Sequence, residues 1–335
     1  MPTRRLERGS AASNHRPPAL RRGDTIGIIA PSGTVDADRL GKGIRELERL
    51  GFRVLLAENV LERDGYFAGD ERSRTDTFLS LLRNPEVAAV ISARGGYGSN
   101  YITERLSTPA VLRSLQRLRP KIVMGYSDVT TLLLFLRQRL GWVTFQGPML
   151  TKDFANGEGA YDRAVFENVL SRPSARLSIQ TDAVALRPGT ADGRLTGGCL
   201  SLLVATLGTP EEIETRGSIL LIEDIAEKPY RIDRMLFHLR RAGKFRGVNG
   251  FVFGEMIGCA QTLAEQEDLR NLIQKSLGSL NVPVVFGVRF GHTTGGCLTI
   301  PLGVRARLTV KDKVTLTLLE PAVSRKLNGP RHNRG

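Results

Sequence analysis

The segment 121–141, KIVMGYSDVTTLLLFLRQRLG, constrains the fold more than any other part of this chain. Its apolar run 122–124 predicts a buried strand, and the helix-length apolar segment 129–140 predicts a helix that begins after a short turn. The same alternation of strand and helix recurs through the first half of the chain. It predicts an α/β fold with a doubly wound, mostly parallel sheet in an N-terminal domain.

The predicted elements give the chain a clear organisation. Strands are expected at 25–30, 52–58, 87–92 and 122–124, and helices at 36–50, 73–83, 100–118 and 129–140. Beyond residue 188, short strands mix with helices and end in a hairpin-like pair at 298–302 and 306–318, which predicts a smaller C-terminal α/β domain with mixed strands. The predicted boundaries are a basic disordered tail 1–21, an N-terminal domain 22–155, a linker region 156–188, a C-terminal domain 189–321 and a basic tail 322–335.

The positive charge of the chain is concentrated at its ends. The 335 residues carry a formal net charge of +14, of which residues 1–22 hold +5 and residues 322–335 hold +4. Such tails can contact polyanions without specificity. The body of the chain shows no zinc-finger spacing, RNA-recognition signature or aromatic–basic interleaving, so no specific nucleic-acid partner is expected.

Other features predict a cytoplasmic protein without disulfides. No stretch approaches the ~18 apolar residues of a membrane span, and the N-terminus lacks the apolar core of a secretory signal. Cys199, Cys259 and Cys297 are far apart and have neither C-x-x-C spacing nor histidine partners. We therefore expect three reduced thiols, no disulfide framework, no metal site and no association with a membrane.

The turn 125–128 places Ser127 where a nucleophile would be exposed. A sharp turn between strand and helix presents the hydroxyl, and the N-terminus of the new helix offers unpaired N–H groups and a positive dipole end to an oxyanion. Serine and aspartate are also the commonest N-caps, so Ser127 and Asp128 have a purely structural alternative. The turn also lacks the second glycine of the G-x-S-x-G pattern.

A nucleophilic serine needs a base and an orienting carboxylate. Among the four histidines, His292 follows an apolar strand in a glycine-rich loop, and it is the candidate base. Glu223 ends the apolar run 218–222, where a buried acid requires a partner, and it is the candidate orienting group. The structural alternatives are an exposed loop histidine and, for the neighbouring Asp224, a cap on the next segment.

A second glycine-rich loop, RGGYGS at 94–99, follows the predicted strand 87–92. Its three glycines let backbone N–H groups approach a ligand closely. The loop lacks the G-x-G-x-x-G fingerprint and the lysine of a P-loop, so no nucleotide cofactor is predicted. Loops at the carboxyl ends of parallel strands build the site of such sheets, so this loop, 31–33 and 125–128 are expected to meet.

In combination, these segments resemble the LD-carboxypeptidase (muramoyltetrapeptide carboxypeptidase) family of serine peptidases, whose superfamily includes the microcin-immunity peptidases. The motifs occur in order over residues 22–320: IIAPS at 28–32, RGGYG at 94–98, GYSDVT at 125–130, EDI at 223–225, PYRIDRML at 229–236, FGH at 290–292 and PLG at 301–303. The resemblance implies an N-terminal domain bearing Ser127, a C-terminal domain bearing Glu223 and His292, and a site at their cleft.

The resemblance also implies a mechanism and a setting. Ser127 would attack the carbonyl, His292 would transfer the proton, and Glu223 would orient the imidazole. The backbone N–H groups of Gly96 and Asp128 would form the oxyanion hole. The enzyme would be a cytoplasmic homodimer that removes the terminal D-alanine from murein tetrapeptides during cell-wall recycling, with no metal or organic cofactor.

A peptide that ends in a carboxylate calls for a cationic anchor. Arg94 and Tyr97 of the glycine-rich loop are the predicted substrate-binding residues, with Arg231 and Arg289 as alternatives for the anchor. One departure from the family pattern is GGCL in place of GGNL, which puts Cys199 at the asparagine position. The lost amide would either alter substrate contacts or repack a helix start.

Three other functions are compatible with the sequence. A microcin-immunity-like serine peptidase would cleave a peptidyl-nucleotide amide and stack its nucleotide on aromatic residues beyond the nucleophile. There, the segment 152–168 offers Phe154, Tyr161 and Phe166 but no tryptophan. The others are a non-catalytic binding protein that keeps the cleft and a polyanion-binding protein that acts through the tails.

Overall fold

The computed structural model describes residues 15–173 and 177–325. The strands are β1 (Thr25–Ile29), β2 (Arg53–Leu56), β3 (Val87–Ser92), β4 (Ile122–Gly125), β5 (Thr144–Gln146), β6 (Ser178–Thr181), β7 (Val184–Arg187), β8 (Gly189–Cys199), β9 (Ser218–Glu223), β10 (Gly250–Gly254), β11 (Val284–Val288), β12 (Ile300–Leu302), β13 (Arg305–Val310) and β14 (Val314–Leu318). The helices are α1 (Ala37–Arg49), α2 (Glu71–Arg83), α3 (Ser99–Leu106), α4 (Pro109–Leu115), α5 (Thr130–Leu140), α6 (Arg163–Ser171), α7 (Leu200–Ala205), α8 (Pro229–Arg241) and α9 (Leu263–Leu277), with 3₁₀ turns at Ser127–Val129 and Phe154–Asn156.

The first sheet confirms the predicted doubly wound topology. In the described part of the chain it has six strands in the order β12-β5-β4-β3-β1-β2, and β1 to β5 are parallel. The chain leaves β1 for β2 on one side and then returns to β3 on the other, so the carboxyl ends of β1 and β3 flank the switch point. The edge strand β12 is antiparallel to β5 and comes from the C-terminal half, so both halves contribute to this sheet.

The second sheet confirms the prediction of mixed strands. Its described strands follow the order β6-β14-β13-β8-β9-β10-β11-β7, in which β8 to β11 are parallel and the flanking pairs are antiparallel. With eight strands it has more than the first sheet. The predicted linker region 156–188 contributes β6 and β7, which form the two edges.

The prediction that segments 298–302 and 306–318 pair with each other is wrong. The second segment is itself a hairpin, β13 and β14, because the charged turn Lys311–Lys313 interrupts it. The first segment contributes β12 to the other sheet. The predicted helix 100–118 is also two helices, because Pro109 lacks an N–H and begins α4.

The helix that follows the nucleophile turn, α5, lies between the two hydrophobic cores. Leu134 packs in the cluster on one face of the second sheet, whereas Leu133 and Phe135 pack in the larger cluster, which spans the first sheet and the other face of the second. A helix that is apolar on nearly all sides is buried in this way. No helix among the described residues has both the length and the apolarity that a bilayer crossing requires.

The predicted basic tails differ from the structure where the structure describes them. Residues 1–14 and 326–335 lie outside the described residues. The described parts, 15–21 and 322–325, are packed into the fold, contrary to the predicted tails: Leu20 is 1% and Val323 0% exposed, and the Ala19 N–H donates to Ser324 O over 2.9 Å. The apolar residues at the inner end of each tail were the signal for this packing.

Candidate active site

The turn after β4 holds Ser127 in a conformation that serine rarely adopts. Its φ is +62°, in the left-handed region, which costs a non-glycine residue about 1–3 kcal/mol. Tyr126 before it is extended and buried, and the 3₁₀ turn after it leads into α5. Neither helix start carries a side-chain cap, so the Ser127 hydroxyl does not serve as the predicted alternative N-cap. A strained serine between strand and helix is the geometry of a nucleophile elbow.

Asp128 joins three loops around this serine. Its carboxylate accepts hydrogen bonds from Ser32 Oγ (2.6 Å) and from Ser99 N–H (2.8 Å). Burial raises the pKa of Asp128, and the hydrogen bonds oppose that rise. The loops after β1, β3 and β4 therefore meet, as the topology predicts.

The glycine-rich loop after β3 passes directly beside the serine. A Cβ placed on Gly95 would lie 2.7 Å from Ser127 Cβ and 2.9 Å from Ser127 Oγ, so the approach depends on glycine. The same point lies 3.5 Å from the backbone N of Asp128. Gly95, which precedes the predicted oxyanion donor Gly96, therefore lies close to the backbone N of Asp128, the other predicted donor.

The histidine and the glutamate form a buried pair. His292 Nδ1 lies 2.7 Å from Glu223 Oε2, and the same oxygen accepts the His292 backbone N–H over 3.0 Å. Glu223 is fully buried and His292 is 7% exposed. In the neutral imidazole, donation of Nδ1–H to the carboxylate leaves Nε2 available as a base.

Gly291 is required for this close contact. Its φ is +69°, and a Cβ at this position would lie 2.4 Å from Glu223 Cδ. The loop after β11 therefore reaches the end of β9 only with glycine before the histidine.

Tyr126 connects the nucleophile turn to the histidine. Its ring meets the imidazole of His292 edge to face, with centroids 5.1 Å apart and an interplanar angle of 81°. Its hydroxyl donates to Asp153 Oδ2 over 3.0 Å, and that oxygen also accepts the Met149 N–H over 2.8 Å. Burial raises the pKa of Asp153 to about 6. The fixed ring limits where the imidazole can lie, a role that the sequence analysis missed.

Ser127 and His292 open on one cleft of about 320 Å³. Cations predominate over acids among its charged side chains. Of the two predicted substrate-binding residues, Arg94 lines the cleft and Tyr97 does not; the Arg94 guanidinium donates to Thr34 O (2.9 Å) and Gly95 O (3.2 Å). An anionic ligand suits a cleft of this charge. The full lining is Asp36, Arg39, Arg94, Gly95, Gly96, Tyr126, Ser127, Met149, Thr151, Lys152 and His292.

The sequence analysis missed two of these cations, Arg39 and Lys152. Both follow the carboxyl ends of parallel strands, β1 and β5, and this position could have identified them as candidate site residues. The alternative anchors Arg231 and Arg289 are not among the cleft-lining residues, and Arg231 pairs with Glu227 at 3.5 Å.

Cys199 lies beside Glu223 on the neighbouring strand and immediately before α7. Burial and the nearby carboxylates of Glu223 and Asp224 raise the pKa of its thiol well above the usual range, so the thiol is protonated. The Asp224 carboxylate accepts the N–H groups of Ser201 and Ile225, each over 2.8 Å, and so holds the start of α7. Neither residue lines the cleft.

The three aromatic residues considered for nucleotide stacking are buried. Phe154, Tyr161 and Phe166 are 1%, 3% and 0% exposed. They pack against one another with ring centroids 4.7 to 6.2 Å apart. Their faces are therefore used within the core. Among the described residues, no group of three or more His, Cys, Asp and Glu side chains is arranged to hold a metal ion.

Comparisons with known proteins match both halves of the chain. A family model described as the LD-carboxypeptidase N-terminal domain matches residues 26–147, and one described as the C-terminal domain matches residues 192–308. A probable murein peptide carboxypeptidase of Bacillus subtilis is 36% identical over 323 residues, covering 95% of this chain and 98% of that protein.

Two further relatives have names that indicate different functions. The solved structure of a muramoyltetrapeptide carboxypeptidase from Oxalobacter formigenes is 30% identical, with a TM-score of 0.75 over 89% of this chain and 99% of its own. The microcin C7 self-immunity protein of Escherichia coli is 28% identical, covering 87% of this chain and 92% of its own. A wild-type structure of a microcin C7 self-immunity protein, 24% identical, has a TM-score of 0.83 over 92% of this chain and 99% of its own, a likeness of fold alone.

Proposed function

The chain belongs to the LD-carboxypeptidase family of serine peptidases, and we propose that it removes the terminal D-alanine of murein tetrapeptides through a Ser127–His292–Glu223 triad. The observation that carries the proposal is that a strained serine and a histidine paired with a buried glutamate open on one cationic cleft. The names of the Bacillus and Oxalobacter relatives support a murein peptide as the substrate. The proposal includes the setting of a cytoplasmic homodimer that acts in cell-wall recycling.

The proposed reaction begins with attack by the serine. Nε2 of His292 accepts the hydroxyl proton as Ser127 Oγ bonds to the carbonyl carbon before D-alanine. The oxyanion that forms is stabilised by the N–H groups of Gly96 and Asp128, and each such donor contributes about 10²–10³ in rate. His292 then gives its proton to the amine of D-alanine as the C–N bond breaks. A water molecule attacks the acyl-enzyme by the same route and releases the tripeptide.

Glu223 keeps the imidazole in the tautomer that this sequence of steps needs. Its carboxylate holds Nδ1–H at 2.7 Å, and it stabilises the imidazolium that forms after proton transfer. Tyr126 restricts the same imidazole through an edge-to-face contact. Both contacts favour one ring orientation before substrate binds, which lowers the entropy that must be lost in the transition state.

The cleft charge suits a substrate that ends in a carboxylate. We propose Arg94 as the anchor, because its guanidinium lines the cleft and is already oriented by Thr34 O and Gly95 O. Arg39 and Lys152 add positive charge on the same lining. Recognition of the terminal carboxylate would restrict cleavage to the last residue of the peptide.

The second candidate is a peptidase that cleaves a peptidyl-nucleotide amide, as the name of the microcin relative suggests. The burial of Phe154, Tyr161 and Phe166 favours the murein peptide, since the aromatic side chains that would stack a nucleotide in this segment already pack in the core.

The two candidates are separated by offering three substrates to the same enzyme. These are a murein tetrapeptide, the same peptide with its terminal carboxylate amidated, and an aminoacyl sulfamoyl adenosine. We expect release of the terminal residue from the first, a rate at least about 10²-fold lower on the second because the anchor loses its charge partner, and no cleavage of the third. Cleavage of the third substrate alone would assign the enzyme to the second candidate function.

A further inference from the structure

Glu255, which follows β10, is hydrogen-bonded to the loop that carries His292. We call residues 289–299, between β11 and β12, the histidine loop. The Glu255 carboxylate accepts the Thr294 N–H at Oε2 over 3.0 Å and the Thr294 hydroxyl at Oε1 over 3.1 Å. We call this pair of bonds the Glu255 clamp. Because Thr294 lies two residues beyond His292, the clamp fixes the backbone close to the proposed base.

A second carboxylate, that of Glu223, holds the same loop from the neighbouring strand. β9 and β10 are parallel neighbours; Glu223 ends β9, and Glu255 follows the last residue of β10. Glu223 accepts the His292 N–H over 3.0 Å. Glu255 accepts the N–H two residues later over the same distance. Two carboxylates at adjacent strand ends therefore bind alternate N–H groups of one loop.

The backbone on both sides of Glu255 is constrained. Gly254 packs tightly, since a Cβ there would lie 2.7 Å from Glu223 Cβ and 3.5 Å from Phe290 O of the histidine loop. Met256 is buried and has a φ of +51°, a conformation that non-glycine residues rarely adopt. Strain of this kind persists only where the surrounding structure requires one conformation. The backbone from which the Glu255 carboxylate extends is therefore fixed.

The Glu255 clamp lies between two points at which the histidine loop can bend. Gly291 and Gly296 both have left-handed φ values, +69° and +61°, and glycine changes conformation more easily than any other residue. Gly296 is itself attached to the first half of the chain, because its N–H donates to Gly159 O over 2.7 Å. The segment 292–295 contains both the proposed base and Thr294. Loss of the clamp would therefore free this segment to move about its glycine ends.

We propose that Glu255 is a positioning residue whose clamp on Thr294 keeps the imidazole of His292 directed at the nucleophile. The inference rests on the proposed function. Glu255 lies outside the cleft lining, so it acts on the base and not on the substrate. Proton transfer requires the serine hydroxyl and the imidazole within hydrogen-bond reach of each other. A base that spends less time in this position lowers kcat and leaves substrate binding unchanged.

The kinetic test compares two substitutions of Glu255 on a murein tetrapeptide. Glu255→Ala removes both acceptors, and it should lower kcat about tenfold while KM stays within about twofold of the wild type. A tenfold loss corresponds to about 1.4 kcal/mol, the net contribution of one or two hydrogen bonds. Glu255→Gln keeps a carbonyl oxygen for the Thr294 N–H and an amide for its hydroxyl, so its kcat should stay within about threefold of the wild type.

Thr294→Val tests the other side of the clamp. It replaces the hydroxyl by a methyl group and keeps the N–H, so kcat should fall about threefold. Added to Glu255→Ala, it should cost nothing further, because the bond that it removes is already absent. Additive losses in the double variant would mean that the two residues act independently, and the clamp would be wrong. The matched control is Glu62→Ala, which removes an acceptor of the Ser73 hydroxyl (3.0 Å) outside the cleft lining and should leave kcat unchanged.

Proton NMR of the enzyme without substrate tests the clamp independently of the reaction. The Nδ1–H of His292, which lies 2.7 Å from Glu223 Oε2, should give a downfield signal that is assigned by its loss in His292→Gln. In Glu255→Ala this proton should exchange with water at least about tenfold faster than in the wild type, whereas Glu255→Gln should keep the wild-type rate. The amide protons of β9 are the internal reference and should exchange at the wild-type rate in both variants.

Three NMR results would overturn the proposal. A wild type without the downfield signal would contradict the pair on which the clamp acts. Equal acceleration at β9 and at His292 would make Glu255 a residue of general stability. Equal effects of Glu255→Ala and Glu255→Gln would show that its charge matters, and not the two hydrogen bonds.

The two readouts also separate this inference from the proposed function. If the wild type releases no D-alanine, but Glu255→Ala accelerates the exchange at His292 and Glu255→Gln does not, the clamp stands and the proposed function fails. If D-alanine is released and Glu255→Ala matches the wild type in kcat and in exchange, the clamp fails alone. A raised KM with unchanged kcat in Glu255→Ala would mean that Glu255 contacts the substrate, and the positioning role would be wrong.

Discussion

Because Gly95 lies so close to the proposed nucleophile, adding a single methyl group at this position should disturb Ser127 directly. In Gly95→Ala, the new Cβ would lie 2.7 Å from Ser127 Cβ and 2.9 Å from Ser127 Oγ. The φ of Gly95 is outside the left-handed region, so alanine is not strained by the backbone itself. The cost of the substitution therefore comes from the contact with Ser127.

The expected magnitudes follow from that contact. Both distances are several tenths of an ångström shorter than an ordinary van der Waals contact, so either the serine or the loop must shift. Overpacking of this kind lowers the free energy of unfolding by about 1–3 kcal/mol. A displacement of the nucleophile by up to ~1 Å lowers kcat by about 10²-fold. The matched control is Gly41→Ala in α1, where the Cβ meets only Arg45 Nη1 at 3.5 Å.

The assay is urea unfolding of a double-mutant cycle, with kcat for D-alanine release measured in parallel on the single variant. In a Ser127→Gly background, both clashing atoms are gone, so Gly95→Ala should cost nearly nothing. The coupling free energy between the two positions should then be about 1–3 kcal/mol. An equal loss of stability in both backgrounds, or wild-type stability and kcat in Gly95→Ala, would refute the geometry of the nucleophile turn.

Three further predictions concern the carboxylates and the anchor. Glu223→Gln should lower kcat by about 10³–10⁴-fold with little change in KM, because an amide does not hold the required tautomer. Asp192→Asn, which alters a partly buried acid paired with Arg307 and absent from the cleft lining, should leave kcat unchanged. Burial raises the pKa of Asp153 from 3.8 to about 6, so the folded protein binds the carboxyl proton more tightly than the unfolded chain does. As the pH rises from 4 to 7 and this proton is released, the wild type should lose up to about 3 kcal/mol of stability relative to Asp153→Asn. Parallel stability curves for the two proteins in urea titrations over that range would contradict this prediction. Arg94→Met should raise KM for the tetrapeptide about tenfold, whereas Arg231→Met should not, and initial-rate kinetics on both variants decide between the two arginines.

The sequence predicted the elements whose pattern is local. The strand at 87–92 was placed at the residues where the structure has β3, and the alternation of strands with helices gave the doubly wound sheet. It also predicted that the loops holding Ser32, Gly95 and Ser127 would meet, because the carboxyl ends of parallel strands share one edge of a sheet. The same rule allowed the sequence to place Glu223 and His292 at strand ends.

The sequence did not predict which segments far apart in the chain contact one another. The short apolar strand β12 carries no sign of which sheet it joins, and it pairs with β5 rather than with its neighbours in sequence. The contact between Tyr126 and His292, and the support of Tyr126 by Asp153, depend on side-chain packing between segments far apart in the chain. Arg39 followed the strand-end rule, but its place in a regular helix hid it among surface charges.

The central claim is that Ser127 is the nucleophile of a murein peptide carboxypeptidase. Its most direct test is mass spectrometry of a murein tetrapeptide after incubation with wild-type protein and, separately, with Ser127→Ala. We predict the loss of one D-alanine with the wild type and an intact peptide with the variant. Equal cleavage by both proteins, or cleavage by neither, would contradict it.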